Sequence, residues 1–293
     1  MNQDGSIQVQ LGETEIGQGA DTVFSQMAAD AVGLPLDKVH IVSRQDTDVT
    51  PIGLGVFASR GTYVASYSIR QTGELLKQKI LEHAERMTRQ PAFNLKLEDG
   101  VIYRIADNKR LCDTEELAKH ALYNLDRSYH LTAETTADVK NNAFNFGCSF
   151  VEVEVDIPMC KVKILDMLNV HDCGTVINPA LAEGQVHGGM SMALGYAMSE
   201  KQDFDPATGK PLFNGFSVYG LPTTADHPPL QAAFVENYEP TGAFGNRALG
   251  EPPAASGAPA IRNAIFHATG AQLSELPMTP DALYQQFKEK GLL

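Results

Sequence analysis

The residues best placed to do chemistry are Gly250-Glu251-Pro252-Pro253. A glycine-punctuated loop, Gly245-Asn246-Arg247-Ala248-Leu249-Gly250, ends in one carboxylate, and two prolines then set the backbone for a helix start. Ala260, Ile261, Ala264, Ile265 and Ala268 follow at near-helical spacing, with Gly270 where a C-cap is expected. A carboxylate at such a junction, shielded by apolar neighbours, would hold its proton more tightly and become a usable base near neutral pH. The plainer reading is an acidic residue in a first helical turn, favoured there by the helix dipole. Pro259 predicts a kink, or a regular helix that starts nearby.

Three other groups combine small residues with an amide or hydroxyl. Gly17-Gln18-Gly19 offers two permissive backbone positions around a side chain that both donates and accepts, which suits a planar polar ligand. A glycine turn before a helix would look the same. Ala58-Ser59-Arg60-Gly61-Thr62 puts small residues at the head of a long helix, as ligand approach or simple helix-start chemistry would require. Gly184-Gln185-Val186-His187-Gly188-Gly189 places three glycines inside a helical pattern. Each costs about 1 kcal/mol relative to alanine, so close packing or ligand approach is the expected reason. There is no G-x-G-x-x-G and no G-K-[ST], so neither a dinucleotide fold nor an NTPase is supported. His171, Cys173 and His187 have no metal-ligand spacing, and Asp46 with Asp48 reads as a solvated loop. No protein-ligated metal is expected.

These groups need elements to carry them. Residues 6–11 alternate as a half-buried strand that runs into the Gly17 loop. Asp21 or Thr22 could cap a helix bearing Val23, Phe24, Met27, Ala28 and Ala31, stopped by Gly33, with a strand at 39–42. A loop over 46–57 leads to an amphipathic helix over 63–87. A hairpin turning at Asp99-Gly100, a short helix from Thr114 and an extended stretch at 129–136 follow. Beyond a polar, asparagine-rich boundary, residues 149–156 and 161–170 read as neighbouring strands, and His171-Asp172-Cys173-Gly174 as a turn. Asn178-Pro179 opens a helix to Ala197, residues 230–236 form a strand, and Thr279-Pro280-Asp281 caps a last helix. The fold class expected is α+β, as two related mixed α/β subdomains over 1–145 and 146–293.

The chain has 293 residues and a net charge of −13, which argues against nucleic acid and acidic membrane surfaces as partners. No apolar run reaches membrane-spanning length and the N-terminus shows no leader, so a cytoplasmic location is expected. Cys112, Cys148, Cys160 and Cys173 are widely spaced and form no C-x-x-C, as reduced thiols would.

Singly these loops say little. In this order, Glu15 to Gly19, Ala58-Ser59, Asn178-Pro179 with Gly184 to Gly188, and Gly250 to Pro253 resemble the molybdenum hydroxylases, the xanthine dehydrogenase/aldehyde oxidase family. The resemblance covers nearly the whole chain and corresponds to the C-terminal half of the molybdenum-binding subunit, most like the bacterial xanthine dehydrogenase branch. In that family a pterin dithiolene holds the metal. The resemblance implies a molybdenum–molybdopterin cofactor, with the cytosine dinucleotide as one variant. It implies that Gly17, Gln18, Gly19, Ala58, Ser59, Gln185 and Gly250 lie at the cofactor. Glu251 would be the general base that takes a proton from the water-derived nucleophile attacking an electron-poor carbon beside a ring nitrogen. The substrate class implied is a small purine-type N-heterocycle, with aldehydes or other N-heterocycles as the alternative. A non-catalytic cofactor-binding or assembly module is the reading from another class. The upstream half of the subunit would supply the other active-site groups, and iron–sulfur and FAD partner subunits would take the electrons. This chain by itself is expected to be incomplete and inactive.

Overall fold

The computed structural model describes residues 1–42 and 46–293. The fold is α+β, as the sequence pattern indicates, and the chain forms two compact units. The first comprises Met1–Ala143 together with Tyr238–Ala248, and the second Phe144–Asn237 together with Leu249–Leu293.

In the first unit, strand β1 (Ile7–Val9) enters the glycine loop and helix α1 (Ala20–Val32), and the chain returns as β2 (Val39–Ile41), parallel to β1. Phe24, Met27 and Val32 on α1 are buried, as their spacing predicts. Gly33, at φ 89°, closes the helix because that left-handed position excludes most side chains. The expected Asp21 or Thr22 cap is not used. Instead the Glu15 carboxylate accepts from the N–H groups of Gly17, Gly19 and Asp21 at 2.7, 3.1 and 3.0 Å.

Helix α2 (Arg60–Thr88) starts three residues before the expected point. A Cβ on its Gly73 would lie 2.5 Å from the Ala31 methyl of α1, and one on Gly33 would lie 3.2 Å from Lys77 Nζ. Residue numbers therefore rise together along the packed pair, so α1 and α2 run parallel and begin at the same end. Strands β3 (Leu95–Glu98) and β4 (Val101–Arg104) make the expected hairpin, and an unanticipated β5 (Lys109–Asp113) extends it before α3 (Thr114–Tyr123). Residues 238–248 complete this unit. Arg70 donates to the Ala243 carbonyl at 2.6 Å, the Tyr63 hydroxyl meets Thr241 Oγ1 at 3.1 Å, and Arg247 pairs with Glu239 at 3.2 Å.

In the second unit, β6 (Phe146–Asp156) and β7 (Lys161–Asp172) form a long antiparallel ladder. His171 and Asp172, expected in a turn, still belong to β7, because their partners Gly147 and Phe146 prolong the ladder. Helix α4 (Pro179–Met198), capped by the Asn178 side chain, and a short α5 (Phe216–Tyr219) precede β8 (Leu230–Phe234), which pairs parallel with β7. The helix expected after Glu251 is two: α6 (Pro252–Ala255) and α7 (Gly257–Thr269), broken at Ser256. The break puts Pro259 in the first turn of α7, where its missing N–H is harmless. With α8 (Pro280–Glu289) these helices bury Met167, Val186, Met190, Leu194, Ile261, Ile265, Leu283 and Phe287 in one core.

Candidate functional site

The first unit gathers five of the nominated residues at the common N-terminal end of α1 and α2. Gly17 and Gly19, at φ 104° and 85°, bend the loop into α1. Gln18 is half-buried and locks that loop: its Oε1 accepts from the Ile16 N–H at 2.7 Å and its Nε2 donates to the Thr14 carbonyl at 2.9 Å. One N–H and one lone pair of the amide remain for another group. Burial alone would raise the Glu15 pKa, but the N–H groups of Asp21, Gly19, Gly17 and Ala20 together outweigh it and hold the carboxyl below its usual range.

Ala58 and Ser59, at φ 52° and 55°, are two successive non-glycine residues in the left-handed region, a strain of about 1–2 kcal/mol each. Arg60 fixes the end of this strained pair. Its guanidinium donates to Glu13 Oε1 and to the Gly55 carbonyl, both at 2.7 Å. Burial raises the Glu13 pKa against the opposing pull of Arg60. The ion pair also ties the segment before α1 to the first residue of α2, so Gly17 to Gly19 and Ala58-Ser59 share one neighbourhood.

The second unit gathers Gln185, Gly250 and Glu251. Of the four glycines in α4, Gly189 and Gly195 are explained by packing: a Cβ on Gly189 would sit 2.5 Å from Pro253 Cβ on α6, and one on Gly195 would run into Glu200. Cβ atoms on Gly184 and Gly188 would meet nothing within 4 Å. They form an exposed strip of bare backbone one turn apart. Gln185, half-buried, stands one turn before Gly189 on the face that carries α6. Glu251 caps α6 at its N-terminal side, and its carbonyl accepts from the Ala254 N–H at 3.0 Å. Gly250 and Glu251 are exposed, so the apolar shielding expected around the carboxylate is not built from the residues beside it.

Pattern reading missed the residues that hold α6. Asn169, on β7 and fully buried, donates from Nδ2 to the Pro253 carbonyl at 3.0 Å. Tyr196, on α4, donates its hydroxyl to the Ala254 carbonyl at 2.5 Å. Ser149, paired with Asn169 across the β6–β7 ladder, shares a 2.5 Å hydrogen bond with Ser256. A polar residue in an otherwise apolar strand face was the available signal for Asn169. Among the described residues no His, Cys, Asp and Glu cluster could hold a metal ion, and no helix is long and apolar enough to cross a membrane.

A family model described as the molybdopterin cofactor-binding domain matches residues 1–228. The chain is 49% identical over its whole length to a putative xanthine dehydrogenase molybdenum-binding subunit of Escherichia coli, of which it covers 39%. It is 32% identical over 97% of its length to a probable hypoxanthine oxidase of the same organism, covering 29% of that protein. The structure is similar to CO dehydrogenase from Oligotropha carboxidovorans, with a TM-score of 0.91 and 27% identity over all of this chain and 37% of that one. The chain thus spans well under half the length of the relatives it matches.

Proposed function

The chain belongs to the molybdopterin cofactor-binding family, and on that premise we propose that it is the cofactor-holding part of a molybdenum hydroxylase that oxidises a purine-type N-heterocycle with water as the oxygen source. The observation that carries the reading is the pair of bare, exposed α4 positions, Gly184 and Gly188, beside Gln185 and the Glu251 turn. Helical glycine that no neighbour requires is costly, and a broad planar group lying against the helix would account for it. The residues fit such a group. Gln18 and Gln185 can each donate and accept, Gly17 and Gly19 keep side chains out of its way, and the strained Ala58-Ser59 turn presents backbone. In this reading the group is a molybdenum–molybdopterin, as such or as its cytosine dinucleotide.

Bound there, the cofactor supplies the two-electron oxidation and passes electrons to iron–sulfur and FAD partner subunits. Glu251 supplies the base. Its carboxylate accepts the proton of the attacking water as the new carbon–oxygen bond forms. The purine assignment rests on the names of the two Escherichia coli relatives. The likeness to a CO dehydrogenase is a reason to test other substrates beside xanthine.

The test uses the complete subunit, including the part upstream of this chain, assembled with its partners. Glu251→Gln should keep its molybdenum and lose about 10²–10⁴-fold in xanthine-dependent dye reduction, the range for removing a positioned base. A variant that keeps both molybdenum and turnover refutes the base assignment. A loaded parent that ignores xanthine but oxidises an aldehyde or another N-heterocycle refutes the purine assignment.

A further inference from the structure

The Glu251 turn cannot hold its own shape. Helix α6 is four residues long, and an isolated single turn is far below the length at which helix formation sustains itself. Yet three elements grip it in succession. Asn169 on β7 takes the Pro253 carbonyl, Tyr196 on α4 takes the Ala254 carbonyl, and Ser149 on β6 takes the Ser256 hydroxyl. Gly189 admits α6 close enough for all three.

Asn169 is the telling member. It is fully buried beside Met167 on the core side of β7, and its Oδ1 has no hydrogen-bond partner. An unsatisfied buried amide oxygen costs about 1–3 kcal/mol, a cost that a leucine of the same branched shape would not carry. What a leucine could not do is donate to the Pro253 carbonyl, two residues after Glu251. We propose that Asn169 is a positioning residue, which fixes the Glu251 carboxylate through the Pro253 carbonyl, with Tyr196 as its auxiliary. The inference rests on the reading of Glu251 as the base.

In the assembled enzyme, Asn169→Leu should retain molybdenum. Amide hydrogen exchange at Ala254 and Ala255 should quicken, in cofactor-free protein as well. Turnover of xanthine should fall about 10–100-fold with KM nearly unchanged, as expected for a misplaced reacting group. Tyr196→Phe, which removes one hydroxyl and threatens the fold less, should move both readouts the same way by a smaller factor. In a Glu251→Gln background, Asn169→Leu should cause no further loss, because the group it positions is gone. Unchanged exchange and turnover in both single variants overturn the proposal. So does a loss that multiplies with that of Glu251→Gln, which would show that Asn169 acts elsewhere. If Glu251→Gln itself turns over normally, the base reading falls and this one with it. If Glu251→Gln is inactive while Asn169→Leu and Tyr196→Phe are normal, only the positioning role falls.

Discussion

Alanine at Gly189 and at Gly188 should have opposite effects on stability, although the two glycines are neighbours in one helix. Both substitutions gain the helix propensity of alanine, about 1 kcal/mol. At Gly188 the new methyl meets nothing within 4 Å, so the gain stands. At Gly189 it lies 2.5 Å from Pro253 Cβ and 3.0 Å from both the Pro253 carbonyl carbon and the Ala254 nitrogen. Asn169 and Tyr196 tether α6 through its carbonyls, so the helix cannot simply retreat. Overpacking of this kind costs about 1–3 kcal/mol, which outweighs the propensity gain. The propensity gain is common to both, so the two variants should differ by the overpacking cost of about 1–3 kcal/mol, and at a urea slope of about 2 kcal/mol/M their midpoints should lie about 0.5–1.5 M apart. Equilibrium urea unfolding followed by circular dichroism measures this directly. A Gly189→Ala midpoint at or above that of Gly188→Ala would refute the claim that Gly189 exists to admit α6. Gly184→Ala and Gly188→Ala carry a second expectation: if that strip faces the cofactor, each should stabilise the protein yet lower the molybdenum content of the assembled enzyme.

Three other outcomes can be checked on the same protein. His83, buried in α2, bonds Tyr129 Oη at 2.6 Å through Nδ1 and His120 Nδ1 at 3.0 Å through Nε2, and burial, then the charges of His120 and Arg86, push its pKa down to about 4. Its unfolded value is near 6.5, so the neutral ring's contribution is whole above that pH and drains away between 6.5 and 4, by at most about 3 kcal/mol. His83→Phe should flatten that part of the stability profile measured by urea unfolding between pH 4 and 7. Arg60→Ala removes the cation beside Glu13, which is 9% exposed, and should destabilise by about 3 kcal/mol at neutral pH, with Arg60→Ala/Glu13→Gln partly recovered in thermal unfolding. Glu15→Ala removes a carboxylate that accepts three N–H groups at the head of α1 and should cost about 1–2 kcal/mol above pH 5, a cost that shrinks as the pH falls below the ordinary glutamate value toward the lowered folded one.

The strongly periodic segments were readable because their pattern depends on near neighbours. The α1 stripe of Phe24 and Met27, the alternating 149–156 and 161–170 strands and the Asn178-Pro179 helix start are of this kind. Strand β5 was missed because Lys109 and Arg110 interrupt the alternation before Cys112 packs inside. The cap of α1 was missed because the capping group, Glu15, sits outside the helix and reaches six residues along the chain. The candidate site was legible through the order of its loops, not through any one of them. Its supports were not: Asn169 and Pro253 are 84 residues apart, and no local pattern couples a buried amide on a strand to a carbonyl in a distant turn.

The passage of residues 238–248 back into the first unit bears on how the protein is made. By the time Ala143 has been synthesised every other part of that unit exists, but Tyr63 and Arg70 still lack Thr241 and Ala243. A further 105 residues (from 144 to 248) must be translated first. At about 5–20 residues per second that is roughly 5–20 s. Through that interval Tyr63 and Arg70 on α2 await the segment that bonds them. Most of the second unit is thus made while the first still waits for its last segment, and Glu251 emerges three residues after that segment.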